Sequence, residues 1–143
     1  MVHRRGQELG YTLLELLLVL VILSGAGFIL LLKLPAAHDT RQLEIAATLV
    51  LEDLREAKQA AATENVFYRV TFSVNNTYIV RREDQVVKLV SLPDGVRFAY
   101  IPQTDIIFYA HGTPNMGNRV LLECRGKLKS VIVSAVGGRI RIE

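Results

Sequence analysis

Residues 10–32 read GYTLLELLLVLVILSGAGFILLL, and the rest of the chain is built onto them. Between Leu13 and Leu32 the only ionisable side chain is Glu15. As an α-helix the twenty residues of that run would reach roughly 30 Å, about the thickness of a bilayer's hydrocarbon core. A basic leader, MVHRRGQELG, precedes them and carries Arg4 and Arg5. A lone Glu inside such a span costs roughly 2.5–3.5 kcal/mol on insertion scales, so its presence needs a physical reason.

Two bland readings compete for the same residues. Thr12-Leu13-Leu14-Glu15 fits a capping box, with Thr12 as N-cap and Glu15 reaching back to its N–H. Ser24-Gly25-Ala26-Gly27 offers small residues for a signal-peptidase cut, although the apolar run resumes at Phe28 instead of ending there.

The coincidence of basic leader, Gly10, Tyr11, Thr12, Glu15 and a full-length apolar span resembles the processing signal of type IV prepilins and pseudopilins. The resemblance implies cleavage between Gly10 and Tyr11 by a prepilin peptidase and N-methylation of Tyr11. It also implies an assembly role in which Glu15 receives the amino terminus of a neighbouring subunit. Most members carry Phe where this chain has Tyr11, which keeps the aromatic ring.

The boundaries that follow are a leader at 1–10, a transmembrane helix at 11–34, an amphipathic helix at 35–64 and an antiparallel β domain at 65–143. Arg4 and Arg5 keep the leader cytoplasmic and send the rest of the single-pass chain outward. Pro35 either ends the span or kinks a longer helix. From Asp39 onward Leu43, Ala47, Val50, Leu54, Ala57 and Ala61 recur at spacings of three and four, with Arg41, Glu44, Glu52, Asp53, Glu56 and Lys58 between them as polar positions. Asn65 is the expected stop.

Beyond Asn65 the period changes to two. Strands are expected at 66–72, 77–82, 86–92, 96–101, 106–109, 119–124, 129–134 and 139–142, separated by turn residues such as Asn75-Asn76 and Pro93-Asp94-Gly95. Gly112 and Gly117 are expected to turn an edge hairpin, and Gly137-Gly138 the last one. The fold class is α+β: a long N-terminal transmembrane and amphipathic helix packed on antiparallel sheets, with a β-sandwich-like globular part.

The sequence has 143 residues, one cysteine and a net charge of +3. Cys124 therefore has no intramolecular disulfide partner and reads as a small buried hydrophobe. His3, His38 and His111 share no metal-ligand spacing with it, so no metal or cofactor is expected. No nucleophile–base set, catalytic carboxylate pair or phosphate loop is present, which argues against an enzyme. Charge is unevenly spread: 38–118 hold eight Lys/Arg against ten Asp/Glu, whereas 119–143 hold six against two. A net +4 over the last segment points to a polyanionic partner.

In the C-terminal third, Ile106-x-Phe108-x-x-x-Gly112-x-x-x-x-Gly117 and Val131-x-Val133-Ser134-x-x-Gly137-Gly138-Arg139-Ile140-Arg141 resemble the C-terminal signature of the H-type minor pseudopilins, the GspH/FimT group. Within it, length and the 112–117 segment are most similar to the competence pseudopilins of Gram-positive bacteria. The resemblance implies uptake of transforming DNA through a surface pseudopilus. Its partners would be other pilin or pseudopilin subunits, the prepilin peptidase, a membrane platform protein and DNA itself. The alternatives are an H-type subunit of a type II secretion system or type IV pilus and, more remotely, a signal-anchored extracytoplasmic protein. Arg139 and Arg141 are the DNA-binding candidates, with Lys127 and Lys129 extending the patch. Alternation alone explains the same residues as a final strand that buries Ile140 and Ile142 and turns both arginines to solvent.

Overall fold

The computed structural model describes residues 12–143, with the side chains of 25–37 outside that description. The leader, Gly10 and Tyr11 thus lie outside the described residues. The chain divides into two compact units, Met1–Ala37 and His38–Glu143. One helix, α1 (Leu13–Glu64), is followed by eight strands.

Helix α1 begins where its cap dictates. Thr12 lies just outside it and its Oγ1 accepts the Glu15 N–H at 3.3 Å, taking one of the donors that a helix start leaves without an intrahelical partner. Through the second unit the three-and-four spacing does what an amphipathic pattern requires. Leu43, Ala47, Val50, Leu54, Ala57 and Ala61 are all buried, joined by Ala46 and Leu51. Four of these eight residues are alanines, and the larger ones, Leu43, Val50, Leu51 and Leu54, fill the N-terminal part of the stripe. The helix ends at Glu64, and Asn65 takes the left-handed conformation (φ 56°) typical of the residue after a C-cap. One expected polar position behaves otherwise: Asp53 is only 4% exposed.

The strands are β1 (Tyr68–Ser73), β2 (Thr77–Arg82), β3 (Gln85–Ser91), β4 (Arg97–Tyr100), β5 (Ile106–Phe108), β6 (Asn118–Cys124), β7 (Lys127–Val133) and β8 (Ile140–Ile142). They form two four-stranded sheets, ordered β3-β2-β1-β5 and β4-β6-β7-β8, with every pairing antiparallel. Successive strands do not always stay in one sheet. β4 leaves the first sheet for the second, β5 returns, and β6 crosses again.

This corrects the expectation for Gly112 and Gly117. Gly112 (φ +70°) does fold the chain back on β5, through a single bridge between Phe108 and Pro114. The chain then crosses to the second sheet, where β6 pairs with β4 and β7, not with β5. The side chain of Asn115 fastens the fold-back, accepting the Ile107 N–H at 3.2 Å and donating to the Asp105 carbonyl at 2.9 Å.

A single apolar cluster joins the helix stripe to both sheets. Tyr68, Val70, Tyr78, Val80, Ile106 and Phe108 enter from the first sheet, and Val120, Leu122, Val131, Val133 and Ile140 from the second. Each such side chain contributes roughly 1.5–3 kcal/mol when fully buried. Phe72 bridges the sheets, with its ring centroid 5.4 Å from Tyr78 and 5.5 Å from Phe98. Cys124 is buried in the same cluster.

Candidate functional site

The processing and assembly signal falls at the start of α1. Glu15 lies in its first turn, exposed, and the carboxylate makes no ion pair with the described residues. Around it the ten large apolar side chains from Leu13 to Leu23 are each 47–83% exposed. Single exposed hydrophobes are ordinary, but a run of this size, interrupted only by Glu15, is far more exposed apolar surface than a lone monomer usually carries. Among the described residues no helix is long and apolar enough to cross a membrane. The side chains that would complete the expected span begin at 25 and lie outside the description.

The C-terminal cations tell a different story from their sequence spacing. Lys127 Nζ donates to Thr40 Oγ1, and Lys129 Nζ lies 3.1 Å from Glu44 Oε1, so both reach back to α1. Arg125 makes a third tie on the same hairpin, 3.4 Å from Asp39. Arg141 sits 2.8 Å from Glu143, just past the end of its strand, and Arg119 reaches the same carboxylate at 3.8 Å. The basic excess of the last segment thus serves largely to hold the second sheet to the helix and to itself. Arg139 differs: it is exposed and has no ion pair among the described residues.

Arg139 precedes β8 and borders a cleft of about 580 Å³ that is also lined by Arg55 and Lys58 from α1 and by the His111 imidazole from the fold-back after β5. The structure therefore brings Arg139 together with Arg55 and Lys58 of α1, far away in sequence, and not with Lys127 and Lys129. The glycines of the C-terminal pattern build this place. Gly138 is buried with φ +59°, and a Cβ there would stand 3.0 Å from Pro114 Cδ and 3.2 Å from the Gly112 carbonyl. Lys58 Nζ donates to the Gly137 and Gly138 carbonyls at 3.0 and 2.9 Å, which clips the last turn onto the helix. Neither Arg55, Lys58 nor His111 stood out in the sequence as part of a site. The only hint was the glycine pairing at 112 and 137–138, which signals a close backbone approach.

The opposite flank of the same helix segment is built from spent charges. Asp53 accepts the Tyr78 hydroxyl at 2.5 Å and pairs with Lys88 Nζ at 2.5 Å, joining α1 to β2 and β3. Burial, reinforced by the Asp53 carboxylate, pushes the Tyr78 hydroxyl far above the usual tyrosine range and keeps it a donor. Nearby, Glu64 takes Arg82 and the Tyr68 hydroxyl. The Arg82 guanidinium holds the Glu64 carboxyl below the usual range.

No family model matches the sequence, and no curated protein does. Solved structures match the fold. Over 71% of this chain and 96% of that one, it superposes on the minor pseudopilin EpsH of the Vibrio cholerae type II secretion system, at 12% identity and a TM-score of 0.59. The type IV minor pilin FimU of Pseudomonas aeruginosa aligns over 73% of this chain and 90% of its own length, with 14% identity and a TM-score of 0.60. The α+β architecture of helix α1 and two antiparallel sheets is the fold of these minor pilins and pseudopilins.

Proposed function

We propose that this chain is a minor pseudopilin, a non-catalytic subunit of a pilus-like filament. The observation that carries the reading is Glu15: an exposed carboxylate in the first turn of α1, amid a run of exposed apolar side chains and five residues past Gly10. Cleavage after Gly10 would free an α-amino group on Tyr11. That cation and the Glu15 carboxylate of a neighbouring copy or sister subunit neutralise each other where water is scarce, a setting in which either charge alone is costly. Such a subunit waits in the membrane with its N-terminus cytoplasmic, then joins a filament at the cell surface.

The finer reading is a ComGD-like competence pseudopilin that takes part in the uptake of transforming DNA. The Gly138-Arg139-Ile140-Arg141 segment and the net +4 of 119–143 support it. Of the four candidate cations, Arg139 has the charge most open to a phosphate, because Lys127, Lys129 and Arg141 already engage groups of the chain. A type II secretion cargo is the second reading, and the likeness to EpsH favours it.

The N-terminal mass of the native protein tests the shared core of these readings. A mature chain beginning at methylated Tyr11 is expected. Glu15→Val should leave that mass unchanged while removing the chain from co-purified filament subunits. A mature chain that retains residues 1–10, or begins beyond Ala26, would overturn the proposal. Loss of transformation in a deletion strain then selects the DNA cargo over the secretion cargo.

A further inference from the structure

We infer that the cleft between α1 and the last turn docks a carboxylate-bearing segment of a neighbouring protein subunit, an inference that rests on the filament reading above. Four basic side chains from three separate elements converge there: Arg55 and Lys58 from the helix, His111 from the fold-back after β5, and Arg139 from the turn before β8. No Asp or Glu lines it among the described residues. Elsewhere on the His38–Glu143 unit, Arg82, Lys88, Arg97, Arg125 and Lys129 each have a carboxylate partner. A concavity lined by basic side chains, whose one carboxylate partner is the exposed Glu52 on Arg55 and whose Arg139 has none among the described residues, is complementary to an anion that arrives from outside.

The shape of the cleft selects a protein carboxylate. Its volume of about 580 Å³ is that of a ligand-sized pocket and gives room for a short stretch of peptide with its side chains. Ala62 and Ile140 contribute apolar wall beside the cations, a fit for the aliphatic stem of a glutamate as well as its head group. A duplex, convex and far wider, would meet only the rim. Lys58 is preset, because its bonds to the Gly137 and Gly138 carbonyls fix the ammonium beside the last turn. Arg55 is held only by Glu52, an exposed i,i+3 pair at 3.0 Å, and can exchange that partner at little cost. Arg139 at the rim can take a carboxylate through two parallel N–H···O bonds.

The test is fluorescence anisotropy with the full chain in neutral detergent at low salt. Fluorescein-labelled octaglutamate is the probe, and labelled octathymidylate the counter-probe. Octaglutamate should bind, and Arg139→Glu should weaken it about tenfold or more, since like charges then face each other. Arg55→Ala should weaken it to a smaller extent, whereas Arg141→Glu, away from the cleft, should stay within about twofold. Both Arg139 and Arg141 are exposed, so unchanged thermal midpoints are expected and would show that the fold is intact. The inference is overturned if octaglutamate does not bind, if Arg139→Glu and Arg141→Glu behave alike, or if octathymidylate binds more tightly and displaces it. The assay reads the cleft alone, so its failure is distinguishable from a failure of the Glu15 and N-terminal mass tests.

Discussion

The two flanks of α1 between Asp53 and Glu64 use charge in opposite ways. Against the first sheet, two carboxylates on the helix are taken up by partners within the fold, Asp53 by Tyr78 and Lys88 and Glu64 by Tyr68 and Arg82, while the exposed Glu56 between them stays at the surface. Against the last turn, Lys58 is spent on two carbonyls while Arg139 and His111 keep open valences. Both flanks look alike in sequence, because each is a scatter of charged residues beside an alanine-rich stripe. Their difference lies in closure. A polar network with its partners satisfied fixes one arrangement of elements, whereas an incomplete one is ready for an outside group.

The strongest way to break this comparison is to open the closed flank. Asp53→Ala should destabilise the protein by about 3 kcal/mol, because it leaves the Tyr78 hydroxyl and the Lys88 ammonium without their acceptor. Tyr78→Phe, which leaves Asp53 with Lys88, should cost only about 1 kcal/mol. Urea unfolding measures both, and equal losses would show that the three side chains do not act as a unit.

The next effect belongs to the other flank. Gly138→Ala should destabilise by about 2–3 kcal/mol, since its Cβ would press on Pro114 and the Gly112 carbonyl at a left-handed position. Gly137→Ala meets nothing within 4 Å, so only the cost of its φ of +71° remains, about 1 kcal/mol. Thermal unfolding of the two variants separates packing from backbone strain.

The smallest effect is in pH. Arg82 holds Glu64, and Arg97 holds Glu123, below the ordinary carboxylate range. A depressed folded value means that each pair contributes above the unfolded value and that the contribution is lost as pH falls through the folded one. Stability should therefore decline on acidification below about pH 4.5. Arg97→Ala should flatten that decline in a pH series of unfolding midpoints.

Much of the fold was legible because local pattern and final environment agree. The stripe from Leu43 to Ala61 is buried as its period demands, and β2 begins and ends where its flanking turns say it should. Asp53 was not legible: a carboxylate on a helix reads as solvated, and only the arrival of Tyr78 and Lys88 from distant strands makes its burial affordable. Nor was the exchange of β4 and β5 between sheets, since alternation states which face is apolar but not which strand is the neighbour. The same limit applies to the candidate cations. Spacing grouped Arg139 with Arg141, Lys127 and Lys129, yet the topology sends Lys127 and Lys129 to the helix and opens Arg139 toward Arg55 and Lys58.

The clip from Lys58 to the carbonyls of Gly137 and Gly138 spans 79 and 80 residues, and Ile140 enters the core just after it. Maturation of this domain is consequently end-loaded. Until residues 137–142 are available, the helix lacks its clasp and the second sheet its outer strand, so closure of the domain comes late in folding. Removal of the chain from Gly137 onward should thus be as damaging as a cut through the middle of the domain.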